Sequence, residues 1–115
     1  MVLEEIANND SKIINLTWNN DGFLIEIELW NGKVVCIRCQ NCIGIKEKAC
    51  INTEIGDILE CNNSTFEEEI KKDIILGGGD GEEIKNFKDY VFFDSWNERI
   101  VLEVLSESIL LDCGG

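Results

Sequence analysis

Four of the six cysteines fall within fifteen residues, as Cys36-x2-Cys39-x2-Cys42-x7-Cys50, the densest group of thiols in the sequence. Thiolates at such spacing can ligate zinc or an iron–sulfur cluster. The second half, however, is not another C-x2-C, and the proline and fourth-cysteine spacing of a bacterial ferredoxin run are missing. A strand also alternates its side chains, which sends Cys36 to the core face and Cys39 to the opposite one. Small apolar filler is the expected role, with no metal and no other cofactor. Cys39 and Cys42 pose a separate question. A tight turn at Gln40-Asn41 would bring them to about 4.5–5.5 Å between Cβ atoms, within reach of a disulfide or redox role, although a reducing compartment opposes it.

Acid–base and nucleophilic chemistry is thinly represented. The chain has no histidine, which removes the usual general base and every Ser-His or Cys-His pair. Carboxylate pairs remain, but among 23 acidic residues some lie close by chance. Glu26 and Glu28, two apart on one predicted face, read as a solvated sheet surface. Gly77-Gly78-Gly79-Asp80-Gly81 lacks the Gly-Lys-Ser/Thr that completes a phosphate loop, and its acidic flank repels phosphate. Asp80, Glu82 and Glu83 match no EF-hand spacing. The expectation is a protein that is not an enzyme, with no catalytic residues.

Charge is the strongest compositional signal. Ten Lys and Arg against 23 Asp and Glu leave −13. Such a chain repels nucleic acid and anionic membrane surfaces and attracts a basic protein. A tryptophan in a polar turn, Trp96 between Asp94 and Glu98, is the kind of anchor that interfaces use. The candidate partner-binding residues are therefore Asp80, Glu82, Glu83, Asp94, Trp96 and Glu98.

The elements that must position these residues follow from local pattern. At 115 residues the chain is one domain, 1–115, and roughly two-thirds of its unfolded surface is buried on folding. Ile13–Trp18, Phe23–Leu29 and Lys33–Cys39 are strand-like runs joined at Asp21-Gly22 and Asn31-Gly32, dipeptides suited to tight hairpin turns. Two-residue loops there define a three-stranded meander with Ile14, Leu16, Trp18, Ile25, Ile27, Leu29, Val34 and Cys36 on one apolar face. Cys42–Ile51 reads as a fourth strand, Gly56-Asp57 as a turn, and Ile58–Cys61 as a short fifth strand. One helix starts at Ser64-Thr65 with capping-box spacing to Glu67 or Glu68. It carries Phe66, Ile70 and Ile74 on one stripe and stops at the glycine run. Lys88–Asp94, Arg99–Leu105 and Ile109–Leu111 complete the strands. The fold class is α+β, mainly antiparallel sheet of six to eight strands, with one main helix near 65–76.

The N-terminal Met-Val-Leu-Glu-Glu-Ile lacks a signal-peptide pattern, and no run reaches membrane-span length. The expected location is cytoplasmic, with reduced thiols.

The strand–Asp-Gly–strand–Asn-Gly–strand opening, the acidic mid-chain helix, and the late Tyr90-Val91-Phe92-Phe93-Asp94 strand followed by Arg99–Leu105 resemble small acidic bacterial immunity proteins of toxin/immunity systems. The resemblance covers most of the chain and rests on layout. It implies a binding role without assigning residues: a module that binds a basic protein and blocks a toxin domain. The alternatives are a β domain for an apolar ligand or metabolite, and a cysteine-based metal or redox protein.

Overall fold

The computed structural model describes residues 10–112 apart from 21, 63, 81 and 83–85. The strands are β1 (Lys12–Asn19), β2 (Gly22–Glu28), β3 (Val34–Gln40), β4 (Gly44–Glu47), β5 (Thr53–Cys61), β6 (Lys88–Asp94), β7 (Ile100–Ser106) and β8 (Ser108–Asp112), and the helix is α1 (Thr65–Leu76). The protein is α+β, with one antiparallel sheet ordered β4-β7-β6-β5-β1-β2-β3-β8.

The sheet bends into two facing halves. β5 belongs to both, pairing with β1 through Thr53 and Glu54 and with β6 from Ile55 to Cys61. At the opposite corner the chain crosses between halves twice, β3 into β4 and β7 into β8. β3 pairs with β8 and β4 with β7, so two bent strands run antiparallel through the corner. The Ile43 amide bonds the Leu105 carbonyl at 3.0 Å and the Glu107 amide the Gln40 carbonyl at 3.1 Å. The buried Ser106 hydroxyl also donates to the Gln40 carbonyl. These bonds satisfy backbone groups that the crossing would otherwise bury unpaired. Between the halves lie Phe23, Ile25, Ile27, Ile37, Phe92, Leu102 and Val104, each at most 1% exposed.

The meander forms, but its registers differ from those of two-residue loops at Asp21-Gly22 and Asn31-Gly32. In the second hairpin the Leu29 amide bonds the Lys33 carbonyl at 2.7 Å, and the Gly32 amide bonds Leu29 at 2.9 Å. Trp30-Asn31-Gly32 is thus a three-residue loop, with Gly32 at φ 85°, the arrangement of a turn followed by a left-handed residue. Relative to an Asn31-Gly32 loop the register moves by one, and a one-residue move turns a strand over. Val35, Ile37 and Cys39 therefore face the core, whereas Val34 is exposed and Cys36 half-buried. The expected faces of Cys36 and Cys39 are exchanged. In the first hairpin Asn19 pairs with Gly22 and Trp18 with Phe23, a two-residue move that keeps the faces; Asp21 lies outside the described residues. A bulge between Ile13 and Asn15 then brings Ile13 into the core in place of Ile14.

Gly56-Asp57 is not a turn. β5 runs straight through it, with a register break between Ile55 and Asp57 opposite β6. An isolated glycine inside a strand often marks such a bulge.

α1 has the expected ends. The Ser64 hydroxyl accepts from the Glu67 amide at 3.1 Å, and acidic Glu67 and Glu68 sit in the positive first turn. At the other end the Gly79 amide bonds Ile74 and the Gly78 amide bonds Ile75. This double closure needs a left-handed residue, supplied by Gly78 at φ 94°. Phe66, Ile70 and Ile74 pack with Phe87 on Leu105 of β7, outside the main core. No helix among the described residues is long and apolar enough to cross a membrane.

Candidate functional site

The β5 bulge and the β6–β7 turn press against each other. The Ser95 amide bonds the Glu54 carbonyl at 3.0 Å, and the Ser95 hydroxyl bonds the Glu54 carboxylate at 3.2 Å. A Cβ at Gly56 would come within 2.7 Å of Ser95 Cα, so only glycine lets the two backbones meet. Beside this contact lies an open groove of about 550 Å³. Ile55, Leu59 and Phe93 form its apolar part, and Asp10, Asp57, Asp94 and Glu98 line it with carboxylates.

Asp94 organises the turn. Its Oδ1 accepts from the Trp96 amide at 2.9 Å and the Asn97 amide at 2.5 Å, and its own amide bonds the Arg99 carbonyl at 2.9 Å. The Asn97 amide above all, then that of Trp96 and the nearby Arg99, holds the Asp94 carboxyl below its ordinary value. Glu98 closes the turn in a left-handed conformation, φ 53°. This geometry leaves Trp96 standing out, 80% exposed, next to the groove but not in its lining.

Of the sequence-derived candidates, the structure brings together Asp94, Trp96 and Glu98 at this turn. Asp80 and Glu82 are exposed and belong to the segment that enters β6 at Lys88, the opposite end of a seven-residue strand about 20 Å long. Glu83 lies outside the described residues. Asp10, Asp57, Leu59 and Phe93 were not singled out by sequence reasoning. The available signal was Gly56, had it been taken for a strand bulge rather than a turn.

The cysteines are dispersed. Cys36 and Cys39 remain on opposite faces of β3. Cys39 is fully buried and Cys42 packs partly against the same core. Burial pushes the Cys39 thiol up to about 12, with Cys42 adding to the effect. Cys42 Sγ donates to the Gly44 carbonyl at 3.5 Å. Cys36, Cys39, Cys42, Cys50 and Cys61 are not in disulfide bonds, and among the described residues no group of three or more Cys, Asp or Glu is placed to hold a metal ion. Glu26 and Glu28 lie half-buried on the outer sheet face, where Glu26 accepts from Asn15 at 3.2 Å and Glu28 pairs with Lys12 at 3.7 Å.

The chain matches no protein-family model, no curated protein and no solved structure.

Proposed function

We propose that this protein is a non-enzymatic binding module that takes a basic protein partner in the groove beside Trp96. The observation that carries this reading is the groove's make-up: four carboxylates around an apolar strip of Ile55, Leu59 and Phe93, next to a tryptophan that is 80% exposed. A lysine or arginine side chain suits such a surface, because its aliphatic stem packs on apolar groups while its charged end reaches acidic ones. The net charge of −13 adds long-range attraction that speeds encounter. Asp80 and Glu82 contribute to that steering rather than to the groove itself.

The finer form of the proposal follows the resemblance to immunity proteins: the partner is a basic toxin domain, blocked by occupancy in the bacterial cytoplasm. The apolar-ligand alternative gains little, because the space between the two half-sheets is filled by Phe23, Phe92, Leu102 and their neighbours.

The test is an NMR titration of the protein with a short lysine- and arginine-rich peptide, with a glutamate-rich peptide as control. Saturable shifts confined to Ile55–Leu59 and Phe93–Arg99, weakened by salt and by Asp57→Asn with Glu98→Gln, are expected. Shifts scattered over the whole acidic surface would refute the groove as the site. With a full-length partner, Trp96→Ala should mainly speed dissociation, at a cost of about 2 kcal/mol. The pair Asp57→Asn and Glu98→Gln should mainly slow association.

A further inference from the structure

Asp89 is fully buried, and neither of its carboxyl oxygens has a hydrogen-bond partner at good geometry. It pairs across the sheet with Cys61 of β5 and Leu105 of β7. Cross-strand partners share a face, and this is the face that α1 covers through Phe66 on Leu105. Glu103, two residues before Leu105, lies on the same face. From above, α1 presents Ser64 at its cap and Glu67, itself only 7% exposed. An unpaired carboxylate in such a place would be strongly disfavoured. Of the nearby cations, Lys88 bonds Glu60 at 2.6 Å, and Lys46 of β4 lies opposite Glu103 in the sheet and reaches Glu69 at 3.9 Å; neither makes an ion pair with Asp89.

We propose that Asp89 and Glu103 form a proton-operated latch under the first turn of α1. One proton on Asp89, directed at the Glu103 carboxylate, keeps that turn seated on β6 and β7. Its release to solvent leaves a buried charge on Asp89 beside half-buried Glu103 and buried Glu67, and frees the turn. α1 suits this role because it is held by its own small cluster of Phe66, Ile70, Ile74, Phe87 and Leu105, apart from the main core, and segments with few buried contacts open first.

The titration falls in a usable range. Burial first, then the Glu103 side chain, raises the Asp89 carboxyl from 3.8 to about 7, with Glu67 adding to the rise and the Ser64 hydroxyl opposing it. Cys61, facing Asp89 from β5, is raised by its own burial and by Asp89 and Glu103. In the open state Asp89 regains an ordinary carboxylate range. The seated state therefore binds the extra proton between about pH 4 and pH 7, and its advantage shrinks as pH rises through that window.

Hydrogen exchange on the whole protein from pH 5 to pH 8, corrected for intrinsic exchange, tests this. Opening of α1, read at the amides of Ile70–Leu76, should rise about tenfold per pH unit up to neutrality and then level off. Ile25 and Ile37, which report global opening, should stay far better protected than α1 at every pH while carrying the same slope, because global opening releases the same proton. Asp89→Asn, which keeps a neutral group of the same shape, should remove the α1 slope and protect α1 better than wild type at pH 8. Should that variant not fold, 13C carboxyl titration of wild-type Asp89 takes its place, with a midpoint near neutrality expected. The proposal is overturned by a flat wild-type α1 profile, by an unchanged slope in Asp89→Asn, or by an Asp89 midpoint near 4.

Discussion

Gly56 and Ser95 are in backbone contact: a Cβ on the first would stand 2.7 Å from the Cα of the second and 3.0 Å from the Asp94 carbonyl oxygen. The strand bulge and the turn that carries Trp96 are thus fitted to each other, and the groove forms along their seam. Gly56→Ala should push the turn away. The expected cost is about 1–3 kcal/mol, as for other overpacked sites, measured by urea denaturation, together with loss of the peptide-induced shifts at Phe93–Arg99. Wild-type stability and binding in this variant would mean that the turn is free of β5.

The register of β3 can be read by paired substitutions. Val35 is 5% exposed and Val34 40%. Val35→Asp should unfold or nearly unfold the protein, a loss on the order of 4 kcal/mol or more, while Val34→Asp should shift the urea midpoint little. The opposite ranking would restore the register of a two-residue Asn31-Gly32 loop.

Thiol reactivity should follow burial. Cys39 and Cys50 are both fully buried, and burial raises each thiol to about 12, Cys42 adding to the first and Glu47 to the second. A thiolate is the reactive form. Native protein at pH 8 treated with iodoacetamide should therefore carry label on half-buried Cys36 well before Cys39 or Cys50, as read by peptide mapping. Urea should abolish the difference.

Acid should loosen the Trp96 turn. The Asp94 carboxyl lies below its ordinary 3.8 because it accepts from the Asn97 and Trp96 amides. A depressed carboxyl contributes stability above its unfolded value, and that contribution fades as pH falls through the folded one. The Trp96 and Asn97 amides should thus keep hydrogen-bonded chemical shifts at pH 5 and lose them only in acid below the ordinary carboxyl value of 3.8. Asp94→Asn should weaken the turn at neutral pH and remove this acid step. An acid step that persists in Asp94→Asn would assign it to another group.

Much of the local structure was legible from residues near one another in the chain. Ser64 and Glu67 cap α1 and the glycine run ends it, because capping chemistry operates within one helical turn. The alternation in Phe23–Leu29 and the aromatic run at Lys88–Asp94 marked strands for the same reason. Trp96 between Asp94 and Glu98 was recognisable as a turn, and the structure adds that Asp94 is what holds it.

The sequence by itself determined the class of the protein: an acidic α+β chain whose antiparallel strands and mid-chain helix are set by alternation, hairpin residues and caps. Only the tertiary structure decided which side of β3 is inside, since one extra loop residue, Trp30, inverts every side chain of that strand. It alone turned Gly56 from an apparent turn into a bulge that admits Ser95, a contact between residues 39 positions apart. It alone sealed Asp89 beneath α1 with Glu103 beside it. Burial, close approach and the pairing of like charges depend on which distant segments meet, and no local pattern carries that information.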